Sequence, residues 1–278
     1  MIEQAQPFQD ESEALFAILD PLPEAAFTVP TQFNGWTIND ILQHLHHFNM
    51  MADLSLNDEQ RFVAEYAKIA ALRAEVGFVG ASNTLLDGLS GRPLLEAWRA
   101  YVMEMTPRFA AADPKRRVKW AGPDMSARSS ITARLMETWA HGQEIYDLLG
   151  IKRIDTDRSI RNIAHLGVNT FGWTFVNRGE AAPQPMPYVE LAAPSGAMWT
   201  FGERSEAESV KGRADQFCQV VCQTRNIADT ELEVRGPVAT LWMSRAQCFA
   251  GPPKNPPAPG SRCPDPDGLA RLNAKHEA

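Results

Sequence analysis

Glu137 and His141 stand four residues apart in LMETWAHGQEIYDLLG, residues 135–150, among the large apolar residues Leu135, Trp139, Tyr146 and Leu149. On a helix that spacing puts both side chains on one face, about one turn apart, so that a carboxylate oxygen and an imidazole nitrogen reach a common point. One metal ion held by such a pair and by a third, distant residue follows the same logic as HExxH sites. A Glu–His hydrogen bond at a helix boundary uses the same two residues, so the pair by itself does not decide. A third donor has to come from elsewhere.

The stretch HLHHF offers His44, His46 and His47. His44 falls beside Ile41 and Phe48, His46 beside Leu42 and Met50, and His47 follows Gln43 and Asp40 at helical spacing. Periodicity selects none of them, and a satisfied polar helix face accounts for at least two. Other residues with chemical capacity are more scattered. Arg128, Arg134, Arg225 and Arg262 are candidates to anchor a substrate carboxylate, Arg225 first, against the alternative of surface salt bridges or solubility. His165, on an apolar helix face in IAHLGVNTF, is a candidate general acid or base; a core histidine bonded to a carbonyl is the alternative. Trp36, Trp139 and Trp173 either line a pocket or pack a helical core.

The elements that must position these residues are mostly helices over the first 180 positions. ESEALFAILD predicts a first helix, ended by the prolines of PLPEAAFTVP. Thr37, with Asp40 in the first turn, predicts the start of a second, from about Ile38 to about Asp53. Phe62, Tyr66, Ile69 and Leu72 recur at spacings of three and four in a third, and a fourth starts near Pro93. Ser129 or Ser130 opens the helix of Glu137 and His141, and Gly150 closes it. After a further helix around RSIRNIAHLGVNTFGWTFVN, the pattern alternates. Strands are expected near Tyr188–Leu191 and Met198–Phe201 around an APSG turn, and another in TELEVRG. SVKGRADQFCQVVCQTRN reads as strand, turn and helix, and Pro237 sits in the first turn of a last helix. The expected organisation is a helical bundle over 1–182, a small α+β domain over 183–253 covering the site, and a Pro-rich arm over 254–278.

Composition narrows the function classes. A formal net charge of −7 gives no electrostatic reason for a polyanionic partner, so nucleic acid is not expected. No long uninterrupted apolar run and no cationic leader precede the first helix, which points to a cytoplasmic protein without membrane association. Cys218, Cys222, Cys248 and Cys263 are few and confined to the last third, and read as reduced thiols. Cys218 and Cys222 share a helix face but have no second pair at zinc-site spacing, so packing is the preferred role. A small-molecule substrate and a monomer or homodimer complete the expectation.

GWTINDILQHL, followed later by METWAHGQEIYDLLG, resembles the paired signature of DinB-like metal-binding four-helix bundles, in particular the mycothiol-dependent maleylpyruvate isomerase branch. The resemblance implies that the helix beginning at Trp36–Thr37 presents its metal-binding histidine at His44, with Glu137 and His141 as the other ligands. WTFG, DQFCQVVCQTR and WMSRAQCFAGPP are similar to a group of DinB-like proteins whose second domain has been compared with a wyosine-base-formation segment; a tRNA-related role is disfavoured by the acidic balance. The implied fold is a four-helix bundle followed by a smaller α+β domain. Two imidazoles and a carboxylate suit Zn²⁺ with an open position, with nickel, iron or manganese as alternatives. Such an ion stabilises a thiolate or acidifies a bound water. The implied activity is a thiol-assisted isomerisation of a small unsaturated acid or thioester, using a low-molecular-weight thiol. A metal-dependent hydrolase, hydratase or thiol transferase, and a non-catalytic metal-binding protein, are the alternatives.

Overall fold

Thr37 starts the helix of the three histidines through a reciprocal capping box. Its Oγ1 accepts from the Asp40 amide at 3.1 Å while Asp40 Oδ2 accepts from the Thr37 amide at 2.8 Å, which satisfies two amides that the first turn leaves unbonded. The helix, α2, runs over Ile38–Asn57, one turn beyond the expected end. The computed structural model describes residues 1–120 and 122–274.

Met1–Lys152, rejoined by the chain from Pro264, forms one compact unit. Its helices are α1 (Ala5–Leu19), α2, α3 (Glu59–Leu85), α4 (Gly91–Ala111) and α5 (Ala127–Leu149). Helix α1 packs on α4 and α5, and α2 packs on α4 and α5, which makes the four-helix bundle; α3 lies against α2. Each of the four turns an apolar stripe inward, including Phe8 and Leu15, Ile41 and Leu45, Trp98 and Val102, and Leu135 and Trp139, all fully buried. Burial on that scale is worth about 1.5–3 kcal/mol for each large side chain. Paired polar contacts fix the register. Arg99 donates to both carboxylate oxygens of Glu13, and Arg108 and Tyr101 both donate to Asp53.

Ser126, rather than Ser129 or Ser130, caps α5, accepting from the Ser129 amide at 3.1 Å. A two-residue ladder precedes the helix, β1 (Arg117–Val118) against β2 (Met125–Ser126). Gly150 ends α5 at φ 66°, and a Cβ there would lie 2.1 Å from the Asp265 carbonyl oxygen. At that point the returning tail docks: the Asp265 amide donates to Asp147 O at 2.8 Å, and a short helix, Gly268–Ala274, packs on α5. The arm expected over 254–278 is therefore irregular only as far as about residue 267. Residues 275–278 of that expected arm lie outside the described residues.

Helix α3 departs most from its sequence pattern. It holds a break at Gly77, with φ 76° and ψ −178°, a left-handed backbone that residues with a Cβ avoid. Of its expected apolar stripe, Phe62 and Ile69 are buried, whereas Tyr66 and Leu72 are only partly so.

The second unit is Arg153–Cys263. A four-stranded sheet has the order β4-β3-β5-β6, with β3 (Tyr188–Ala192), β4 (Met198–Phe201), β5 (Ser209–Arg213) and β6 (Glu233–Arg235). The β3–β4 hairpin pairs Val189 with Phe201 and turns at APSG, β3 and β5 are parallel with Val189 opposite Val210, and β6 is antiparallel to β5. Val189, Leu191 and Val210 are buried, and α8 (Ala214–Val221) packs on β3 and β5. The expected turn between strand and helix is absent, because β5 runs directly into α8 at Arg213.

The expected boundary at 182/183 differs from the division at 152/153. Helix α6 (Asp157–Asn169) packs on α8, and α7 (Phe171–Val176) follows it, so both belong with the sheet. Gly167 permits the close approach: a Cβ there would meet Val221 Cγ2 at 2.7 Å. Helix α9 (Pro237–Met243) starts at Pro237 as expected. Cys218, Cys222 and Cys248 are buried in this unit and Cys263 is exposed; none forms a disulfide.

Candidate metal centre

Helices α2 and α5 cross so that His44 meets Glu137 and His141. His44 Nε2 lies 3.2 Å from Glu137 Oε2, and His141 Nε2 lies 3.4 Å from the same oxygen. One ligand atom from each of the three residues falls within 4.8 Å of the others. Zinc–ligand bonds of about 2.0–2.1 Å at tetrahedral angles place neighbouring donors about 3.3 Å apart. Both contacts to Glu137 match that edge, while the spread of the whole set reaches 4.8 Å, so the three side chains sit close enough to be drawn onto a small divalent ion by a modest approach of the two imidazoles.

The electrostatics suit ligation as well. His44 is 7% exposed, and burial pushes its imidazole down to about 3, against the opposing pull of the Glu137 hydrogen bond. It is therefore neutral at any physiological pH, as a ligand nitrogen has to be. Burial alone would raise the Glu137 carboxyl, but hydrogen bonds from His141 and His44 outweigh it and hold the group well below the usual carboxylate range. A carboxylate is available without proton release. His44 Nε2 faces the Glu137 carboxylate, which only accepts, so the ring proton sits on Nε2 and the buried Nδ1 has no protein partner.

Aromatic rings wall the three donors. Trp36 stacks on His141 with centroids 5.6 Å apart and planes 6° apart, and Phe33 meets His141 edge-on at 5.0 Å. Phe48 contacts His44 at 4.8 Å, and Phe78 reaches Trp36, Phe48 and His44 at 5.7, 5.9 and 5.5 Å. Of the three tryptophans singled out by sequence, Trp36 lies at the donors. Trp139 packs in the bundle core, and Trp173 donates to Phe249 O in the second unit. Phe33 and Phe78 gave no sequence signal of their own, and Phe48 only its helical spacing from His44. The glycine inside VGFVG, which interrupts a helical pattern just before Phe78, was the available clue.

The remaining candidates separate. His46 packs edge-on against Tyr101 at 5.6 Å, and His47 Nδ1 is 3.1 Å from Ser82 Oγ. Both are buried, and His47 has a polar partner in Ser82. Asp40 caps Thr37 instead of meeting His47. Arg134, expected at the surface, is 1% exposed; its Nε donates to Asn49 Oδ1 at 2.9 Å and its Nη2 to Leu45 O at 3.3 Å, tying α5 to α2. Burial lowers its guanidinium to about 10, with Glu137 opposing, so it stays charged. His165 is not a core histidine: it is exposed, with its ring edge-on to Phe201 at 4.9 Å. Arg225 is buried in the second unit and donates to Thr224 O at 2.8 Å, Arg262 donates to Gln223 O, and Arg128 is exposed. Among the described residues, no helix is long and apolar enough to cross a membrane.

A four-helix bundle that brings two imidazoles and one carboxylate together from two helices defines a candidate metal-binding helical protein. The family model for the mycothiol maleylpyruvate isomerase N-terminal domain matches residues 8–146, a span that holds all three donors, and the chain belongs to that family. An uncharacterised protein of Mycobacterium tuberculosis, recorded in strains CDC 1551 / Oshkosh and H37Rv, is 39% identical over 243 residues, covering 87% of this chain and 93% of the relative. Crystal structures of the mycothiol-dependent maleylpyruvate isomerase and of a histidine-to-alanine mutant are 15% and 14% identical, with a TM-score of 0.49, over 78% of this chain and 87% of theirs.

Proposed function

We propose that this chain is a metal-dependent, thiol-assisted isomerase of a small unsaturated organic acid or thioester, with His44, Glu137 and His141 holding a divalent ion, zinc first. The observation that carries the reading is the convergence of three donors from α2 and α5 inside an aromatic wall. Membership of the mycothiol maleylpyruvate isomerase N-terminal family supports the reaction class and makes mycothiol the first thiol to try. When bound, the ion supplies Lewis acidity that stabilises an anion such as a thiolate at neutral pH.

This chain's own residues do the rest. Burial keeps His44 neutral and the two imidazoles keep Glu137 ionised, so the carboxylate donor needs no proton release. Phe33, Trp36, Phe48 and Phe78 surround it and offer apolar faces to an unsaturated carbon chain.

The deciding experiment measures metal content on protein purified without added metal, and maleylpyruvate isomerisation with and without mycothiol. The expected result is about one ion per chain, lost in His141→Ala, and turnover that requires the thiol. Metal-free wild-type protein, or thiol-independent turnover, overturns the reading.

A further inference from the structure

Arg73 on α3 is the half-buried cation whose partners are least accounted for. Its Nε is buried and bonds to nothing, and its Cζ lies 4.2 Å over the Phe78 ring and 5.4 Å from the Phe48 ring. Among the described residues no carboxylate pairs with it; Glu65, on the same helix, is taken by Lys68 at 2.9 Å. Other arginines of this unit are answered: Arg99 by Glu13, Arg108 by Asp53, and Arg134 by Asn49. A guanidinium keeps its charge even where burial lowers its pKa, as it does here. Aromatic faces return only about 0.5–2 kcal/mol of the desolvation that Arg73 undergoes. Such a guanidinium can take an anion from outside the chain.

The two rings under Arg73 are those that touch the first metal donor, since Phe48 and Phe78 meet His44 at 4.8 and 5.5 Å. Guanidinium and donor set therefore flank one aromatic pair. We propose that Arg73 binds a carboxylate of the substrate, whose unsaturated skeleton lies along Phe48 and Phe78. The site would then take a planar, anionic acid in preference to a neutral ester or amide. A guanidinium presents two parallel N–H groups to a carboxylate, which fixes orientation as well as charge. The inference rests on the metal-dependent reading above for the identity of the other end of the site.

Maleate is the probe, titrated calorimetrically into zinc-loaded full-length wild type, Arg73→Met and Arg73→Lys, with crotonamide as an uncharged control. Arg73→Met is expected to weaken maleate at least tenfold and to leave crotonamide, zinc content and melting temperature unchanged, while Arg73→Lys recovers part of the loss. Equal maleate affinity in wild type and Arg73→Met overturns the proposal, as does wild-type protein that binds no maleate. A parallel titration of metal-free protein separates the two readings. Maleate binding that needs Arg73 and not zinc supports the anchor while the metal-centred reading falls.

Discussion

Trp36 lies face to face with His141, with ring centroids 5.6 Å apart and planes 6° apart. The stacked indole limits rotation of the imidazole and so aims its Nε2 at Glu137. Because Trp36 immediately precedes the Thr37 cap, the start of α2 places this ring beside the middle of α5, where the donors stand. Groups that orient a ligand from behind are worth about 10–100-fold in metal affinity. Trp36→Ala is expected to lower zinc affinity by about tenfold, at the lower end of that range, and Trp36→Phe by much less. Competition with a chromophoric chelator measures both.

Metal removal gives a second prediction. An ion that binds the folded chain and not the unfolded one stabilises it by about 2.7 kcal/mol when free metal is a hundred times Kd. Zinc is therefore expected to raise the melting temperature of wild type, and a chelator to reverse the rise. Glu137→Gln keeps the shape of the side chain but removes the charge that two imidazoles now share. Its melting temperature should not respond to zinc. A response equal to wild type would remove Glu137 from the donor set.

His47 predicts acid lability independent of the donors. Burial pushes it down to about 4 from 6.5, with Arg73, His46 and Arg134 adding to the shift and Glu65 opposing. Between those values the unfolded chain binds a proton that the folded chain refuses, so stability rises with pH and is lost as pH falls from about 6.5 towards 4. The full shift corresponds to about 3 kcal/mol. Urea unfolding of His47→Gln at pH 4.5 and 7 should show a smaller difference between the two pH values than wild type, by about 2 kcal/mol.

Much of this architecture was legible because it is local. Thr37 and Asp40 encode the start of α2, Gly150 the end of α5 and Pro237 the start of α9, each through backbone groups a few residues away. Glu137 and His141 share a face by helix geometry alone. The choice of His44 over His46 and His47 was not legible from periodicity, because it depends on the angle at which α2 crosses α5. Arg134 misled for a related reason: an arginine is buried when another helix offers Asn49 Oδ1 and the Leu45 carbonyl as acceptors, and that pairing spans distant sequence. The domain boundary lay earlier than the change in sequence texture because α6 packs on α8, a contact that its amphipathic pattern shows only as a buried face.

Gly77 ties the break in α3 to the wall of the donor site. Its φ of 76° is left-handed, and no heavy atom lies within 4 Å of where a Cβ would stand, so an alanine meets backbone strain and no clash. That strain costs about 1–2 kcal/mol, and continuing α3 as a straight helix relieves it. Straightening redirects Phe78, which follows directly, away from Trp36 and Phe48. Gly77→Ala is thus expected to lose about 1 kcal/mol of stability or less, and to release zinc to a chelator several-fold faster than wild type. Asn83→Ala, at an exposed position of the same helix, is the control. Equal release rates from Gly77→Ala and wild type would show that Phe78 does not cover the donors.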